Sequence, residues 1–392
     1  MPPGRRSEVS VTKRHLGELD VIRTLTIAGV VLVHSVGLTG LYFGASGTAG
    51  PIDAAVVLLH YTRETFMFLT GLVLAYQYHD RDITTWNFWA RRFTPTVIPY
   101  VFWSILYILS ADLQVHESFG LIFRHIWVSL LLGTASYQLY YMLVTFQFYI
   151  IFPVLLFLFR RHTDWRTWMM LASAAFTTAW YIFLGPANVH PAGTLWPFGS
   201  FYQSHFVMTY IFFFVLGMWA AFYLDEITAF MKRYRRILSW SVLAMALVLE
   251  GRYVIGINLT HESYASVTTV LQPIMIPYSV AIIVGSYLVP FALDAWGRVG
   301  RRITAGFKRF ADNSFGIYLM HVFFISLFLK QVDPRVQMPL PLLMLVTWLV
   351  SLTVSFFITE IMAYLPLLGW LVGRGRSGGR QSARQLQPEV SS

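Results

Sequence analysis

The chain contains no cysteine. Disulfides, thiolate catalysis and cysteine-ligated zinc or iron–sulfur centres are therefore excluded, and cysteine usage says nothing about compartment. Charge is also scarce. Only 12% of residues are Asp, Glu, Lys or Arg, where a soluble globular domain carries about 25%. There is no Gly-rich phosphate loop ending in Lys-Ser/Thr and no His-Glu-x-x-His, so ATP hydrolysis and zinc proteolysis have no local support. No internal repeat and no second soluble domain is visible.

What is abundant is apolar sequence. Of 392 residues, 56% are hydrophobic, and the mean hydropathy is +0.57. Apolar stretches long enough to cross a bilayer fall at 19–38, 52–78, 88–110, 137–159, 165–184, 204–224, 236–255, 268–290, 311–330 and 340–365. The fold class expected is all-α, a polytopic membrane helix bundle of about ten transmembrane helices. Basic residues test this reading through the positive-inside rule. With both termini cytoplasmic, 23 Lys and Arg fall in cytoplasmic segments and 4 in external ones (Arg124, Arg252, Lys330 and Arg335). The net charge of +10 thus reports topology, and no nucleic-acid partner is expected. The apolar run Ile22–Leu38 is long for a cleaved signal and contains His34, so it reads as a retained span. The organisation expected is a cytoplasmic segment 1–18, a ten-span membrane domain 19–372 and a polar, disordered cytoplasmic tail 373–392. Residues 119–133 are apolar but short, fit for the outer surface or a re-entrant turn. Trp196, Phe198 and Tyr202 read as an interfacial aromatic belt.

Ionisable side chains within the spans are costly and mark sites of function. Arg23 and His34 are eleven residues apart in the first span. Eleven residues make three turns plus about 20° and rise about 16 Å, so both side chains share one face at two depths. Arg23 alone suits snorkelling to headgroups; Asp20, one turn earlier, is placed to hold it. His34 suits an interhelical hydrogen bond or proton transfer near neutral pH. His60, Arg63 and Glu64 follow at i, i+3 and i+4, either as a structural ion pair or with Glu64 orienting a partner imidazole. Arg91 and Arg92 open the third span ahead of Pro95 and Pro99. They are ordinary flanking charge or a cytoplasmic phosphate clamp, with the prolines opening room beside them. In the ninth span Tyr318 and His321 share a face, as a buried Tyr–His hydrogen bond or as a cavity wall. Glu360 is expected at the interface.

Four patches, in order along the chain, resemble the integral membrane acyltransferase 3 family. Arg23, ten residues, then His34 resembles its N-terminal hallmark. Phe66-Met67-Phe68-Leu69-Thr70-Gly71 resembles its second-span patch. Arg92-Phe93 through Ile98-Pro99-Tyr100 and Trp103 resembles the basic start of its third helix. Ser314-Phe315-Gly316-Ile317-Tyr318-Leu319-Met320-His321 resembles its late patch. The resemblance implies transfer of an acyl group, usually acetyl, from cytoplasmic acyl-CoA to a hydroxyl of a glycan or small molecule. It implies Arg23 as a donor-facing cation and His34 as the essential histidine. Some members carry a second Arg three residues after the position of Arg92; here Pro95 stands there, as in exopolysaccharide-modifying members. A two-arginine clamp would then borrow Arg91.

The expected site is therefore His34 as base or relay with Glu64 holding its imidazolium, and Arg23, Arg91 and Arg92 on the donor phosphates. Asp20, Arg63, Ser314, Tyr318 and His321 are expected to line or orient the cavity. No metal and no bound cofactor is called for, acyl-CoA being a substrate. The expected partners are that donor, a glycan or small-molecule hydroxyl acceptor and membrane lipid, and the expected location is a bacterial plasma membrane. The rival reading is an exporter or flippase for a polysaccharide or lipid-linked sugar, which intramembrane charges suit equally. The lack of a repeat between halves counts against it.

Overall fold

A computed structural model describes residues 16–44, 50–112, 118–184, 200–332 and 338–374. Trp196, Phe198, the side chain of Tyr202 and the tail from Gly375 lie outside the described residues. Everything described is helix or connection. The elements are α1 (Gly17–Tyr42), α2 (Pro51–Leu59), α3 (Thr62–Tyr78), α4 (Thr85–Asp112), α5 (Phe119–Leu132), α6 (Tyr140–Arg161) and α7 (Arg166–Leu184). They continue with α8 (Val207–Phe222), α9 (Leu224–Arg233), α10 (Arg235–Asn258), α11 (Tyr264–Thr268), α12 (Met275–Asp294), α13 (Gly297–Gln331) and α14 (Leu340–Tyr364).

Among the described residues, nine helices are long and apolar enough to cross a membrane. The tenth expected span, 52–78, is not one helix. It breaks at His60–Tyr61 into α2 and α3. Tyr61 packs its ring edge-on to Tyr278 of α12, and Tyr278 Oη donates to Leu58 O (2.6 Å), so α12 anchors the break. With 17 residues, α3 rises about 25 Å and nearly crosses the hydrocarbon alone. Residues 119–133 form α5, whose Phe119, Phe123, Trp127 and Leu131 are exposed. It lies on the surface of the bundle against α4, tied by Tyr100 Oη to Leu130 O (2.7 Å).

The bundle is organised around α1, which packs on α13, α14, α12 and α3. Thr24 Oγ1 donates to Phe307 O (2.8 Å), and Trp348 Nε1 donates to Ala28 O (3.0 Å). The closest crossing joins α3 to α8. A Cβ on Gly71 would lie 2.1 Å from Phe214 O, and one on Gly217 would lie 2.0 Å from Phe68 O. The two backbones therefore meet through reciprocal glycines, as small residues permit between membrane helices. At 35 residues, α13 is about 52 Å long. It overshoots a bilayer core of about 30 Å, which leaves its Arg298–Arg309 end beyond the apolar zone.

The helix ends sort the bundle into a basic end and an opposite end. The basic end carries Arg81, Arg160, Arg166, Lys232, Arg235, Arg301 and Arg309, and the opposite end carries α2, α5 and α11. At the opposite end Arg252 Nη2 reaches Glu262 Oε2 at 2.6 Å. With Ser266 and Thr260 also donating, that hydrogen bond holds the Glu262 carboxyl down at about 2.

Candidate functional site

Two cavities lie along the shared face of α1. The first, at the basic end, has a volume of about 450 Å³ and is walled by Arg23, Arg92, Thr70, Thr145, Tyr149, Asp312 and Ser314. The second, toward the opposite end, has about 280 Å³ and is walled by His34, His60, Arg63, Tyr137, Gln138 and Tyr140. Phe66, Tyr141 and Tyr318 border both. Their ring centroids stand 6.1, 6.5 and 6.5 Å apart, so three rings form a neck between the chambers. The eleven-residue spacing of Arg23 and His34 places one in each chamber, as one helix face at two depths requires.

In the basic chamber Arg23 has Asp20, Asp312 and Arg92 within electrostatic reach. Arg92 Nη2 bonds Gln77 Oε1, with the guanidinium over the Tyr78 ring at 5.4 Å. Arg91 does not join them. It is exposed and lines a separate pocket with Tyr78, Asp82 and Asn87. Consecutive helical residues differ by about 100° in azimuth, so Arg91 and Arg92 cannot serve one face. Of the three arginines expected on the donor, the structure brings Arg23 and Arg92 to one cavity wall and leaves Arg91 in another pocket. Gly373 forms part of the same wall at a positive φ of 76°, where a Cβ would meet Phe315 at 2.5 Å. Trp103 Nε1 holds that segment through Leu371 O (3.0 Å), and Arg374 Nε donates to Asp312 O (3.2 Å).

In the second chamber the His34 ring meets Tyr137 edge-on (centroids 4.7 Å) and stacks on His321 (5.3 Å, 23° between planes). His321 is wholly buried and lies behind His34, outside the chamber wall. Its Nδ1 lies 2.8 Å from Tyr318 O and 3.1 Å from Ile317 O. Two carbonyls accept from an N–H, which assigns that proton to Nδ1. No Tyr318–His321 side-chain hydrogen bond forms, because Tyr318 Oη donates to Gln138 O (2.6 Å). Of the expected wall residues, Tyr318 and Ser314 line a cavity and His321 does not. Beside His321, Tyr107 Oη donates to Leu319 O (2.9 Å) and accepts from Phe323 N (3.1 Å). It stands where the helical Phe323–Leu319 bond would run, a recognised cause of local opening in a helix.

Glu64 is also redirected. It is fully buried, and neither carboxylate oxygen has a hydrogen-bond partner. Its electrostatic neighbours are Arg63, Tyr141, Tyr181 and Tyr210, on the side of α3 that faces α6, α7 and α8. His60 and Arg63 stay together on the chamber wall, while Glu64, about 100° further round α3, turns toward α8. It is not placed to hold the His34 imidazolium. Arg63 instead turns into the chamber, and its Nη1 donates to Tyr140 Oη (3.0 Å).

Sequence reasoning singled out neither Tyr137, Gln138, Tyr140 and Tyr141 nor Tyr107. Tyr137 and Gln138 stand in the turn before α6 and Tyr140 and Tyr141 begin it, where no charged side chain marks them out. Tyr107 stands in an apolar stretch of α4 with no local sign of a partner.

The arrangement offers a cationic chamber suited to phosphates, an imidazole suited to proton transfer and a neck of packed rings between them. Residues 16–363 match the family model of an acyltransferase domain, that of the acyltransferase 3 family. No curated protein and no solved structure matches the chain.

Proposed function

The chain belongs to the acyltransferase 3 family of membrane acyltransferases, and from that premise we propose that its donor is acyl-CoA, taken up at the basic end. The acyl group, acetyl in the simplest case, goes to a hydroxyl of a cell-surface or exported glycan, or of a small molecule, held in the His34 chamber. Arg23 and Arg92 hold the phosphates at the mouth of the basic chamber, and the thioester arm runs toward the neck. The acceptor hydroxyl gives its proton to the His34 imidazole as its oxygen attacks the thioester carbonyl carbon. The carbon–oxygen bond forms, the carbon–sulfur bond breaks, and the CoA thiolate leaves and takes up a proton. Tyr137 and His321 fix the imidazole plane. A bacterial plasma membrane, with donor inside and acceptor outside, suits a site whose arginines and imidazole lie at two depths of the bundle.

The observation that carries this reading is the pair of chambers meeting at the Phe66–Tyr141–Tyr318 neck, with arginines on one side and His34 on the other. The test is acyl-CoA turnover by purified protein in detergent, where no transport can occur. The chain lacks cysteine, so a thiol-reactive dye reports released CoA alone. CoA release that rises with added hydroxyl acceptor, and mass-spectrometric detection of the ester, is the expected result. Protein that binds a glycan yet never consumes acyl-CoA would instead be a carrier.

A further inference from the structure

Resting on that reading of the His34 chamber, we infer that the hydroxyl acceptor is an anion, a sugar acid or hydroxy acid whose carboxylate docks on Arg63. The chamber wall contains one guanidinium, Arg63, two imidazoles, His34 and His60, and no Asp or Glu. A guanidinium carries five N–H donors. Among the described residues Arg63 donates a side-chain hydrogen bond only to Tyr140 Oη. The adjacent carboxylate does not neutralise it by contact, because both Glu64 oxygens are buried without a hydrogen-bond partner. Arg63 is partly exposed on the chamber wall, and a guanidinium opening on a cavity that holds no carboxylate calls for an acceptor-rich, anionic ligand. The basic chamber differs, since Asp312 stands in its wall.

A carboxylate fits better than a phosphate. One planar guanidinium matches one carboxylate in charge and in bidentate geometry, whereas a phosphate monoester brings about −1.5 to −2 and has no second permanent cation here. The volume of about 280 Å³ is near the lower end for small-ligand sites. That favours one sugar-sized unit, flanked by the rings of Tyr137, Tyr140 and Phe66.

The test compares methyl glucuronide, as its carboxylate, with methyl glucoside. Each is titrated into purified protein without donor, binding being read from the shift in melting temperature. Each is then offered as acceptor with acetyl-CoA. The uronate should bind at least tenfold more tightly than the glucoside. Arg63→Gln should abolish the difference, Arg63→Lys should restore part of it, and acetyl-CoA binding should be unchanged in both. Tyr140→Phe, which keeps the guanidinium, should keep the preference and serves if Arg63→Gln does not fold. Equal binding of the two sugars, binding of neither, or a preference that survives Arg63→Gln overturns the inference. So does an Arg63→Gln loss of turnover that is the same for both acceptors, which would make Arg63 a general electrostatic group. A uronate preference with no ester formed from any acceptor would leave the anion site standing and remove the acyl-transfer reading.

Discussion

At the scale of single residues, the proposed mechanism assigns the chemistry to His34 and donor recognition to Arg23 and Arg92. A positioned general base contributes about 10²–10⁴ in rate. His34→Gln should therefore cut turnover by that factor while acyl-CoA still binds. His321→Gln should cost less, because His321 stacks behind His34 and touches neither chamber. Turnover and donor binding on the same monodisperse samples decide this, and near-normal turnover in His34→Gln would end the mechanism. For the arginines, each lost charge-assisted contact costs roughly 1.5–3 kcal/mol. Arg23→Ala and Arg92→Ala should weaken acyl-CoA binding by that amount and acetyl-pantetheine binding much less. Arg91→Ala should bind as the parent does, because its side chain lies in another pocket; equal losses at Arg91 and Arg92 would contradict the placement. The Arg23–His34 pair was legible in the sequence because one helix carries both and helical spacing alone sets their face. The choice between Arg91 and Arg92 was not, because it depends on which side of α4 meets α6 and α13. Glu64 misled for the same reason, its direction being set by α8.

At the scale of elements, the long apolar helices followed from hydropathy, and the break within 52–78 did not. Nothing in an apolar run announces that Tyr278 of α12 will take the carbonyl of Leu58. The Thr70-Gly71 pair was legible as a motif without its physical reason. Phe66 forms the neck, Thr70 lines the basic chamber, and Gly71 lets α3 approach α8 at backbone contact. Adding a methyl at Gly71 places Cβ against a carbonyl oxygen that cannot step aside. Overpacking of this kind costs about 1–3 kcal/mol. Gly71→Ala should thus lower the melting temperature in detergent and, by shifting α3, reduce turnover. Gly251→Ala, in α10 with nothing within 4 Å of the new Cβ, should stabilise by about 0.5–1 kcal/mol. Equal effects of the two substitutions would mean that α3 and α8 do not cross as tightly as described.

At the scale of the whole molecule, the chambers are built from α1, α3, α4, α6 and α13, so no local stretch of sequence could display them. What the sequence did display is their polarity, through the split of basic residues between the two ends. That split makes the enzyme's orientation testable as one statement. The absence of cysteine gives a silent background for single cysteines. Those at Ser118 and Thr260 should react with an impermeant maleimide added to intact cells, and those at Thr84 and Ala305 should react only after lysis. Function must follow the same axis, because the arginines and the imidazole lie on opposite sides of the neck. In sealed vesicles whose orientation is fixed by those labels, acyl-CoA should be consumed only when supplied at the Thr84 side. A membrane-impermeant hydroxyl acceptor should become esterified only when supplied at the Ser118 side. Phe66→Trp, which enlarges one of the three neck rings, should lower ester formation while leaving acyl-CoA bound, since it obstructs the passage and not the arginines. Esterification of an acceptor supplied with the donor at the Thr84 side, at the same rate as across the membrane, would show that both substrates enter by one chamber and that the neck is not the route of the acyl group.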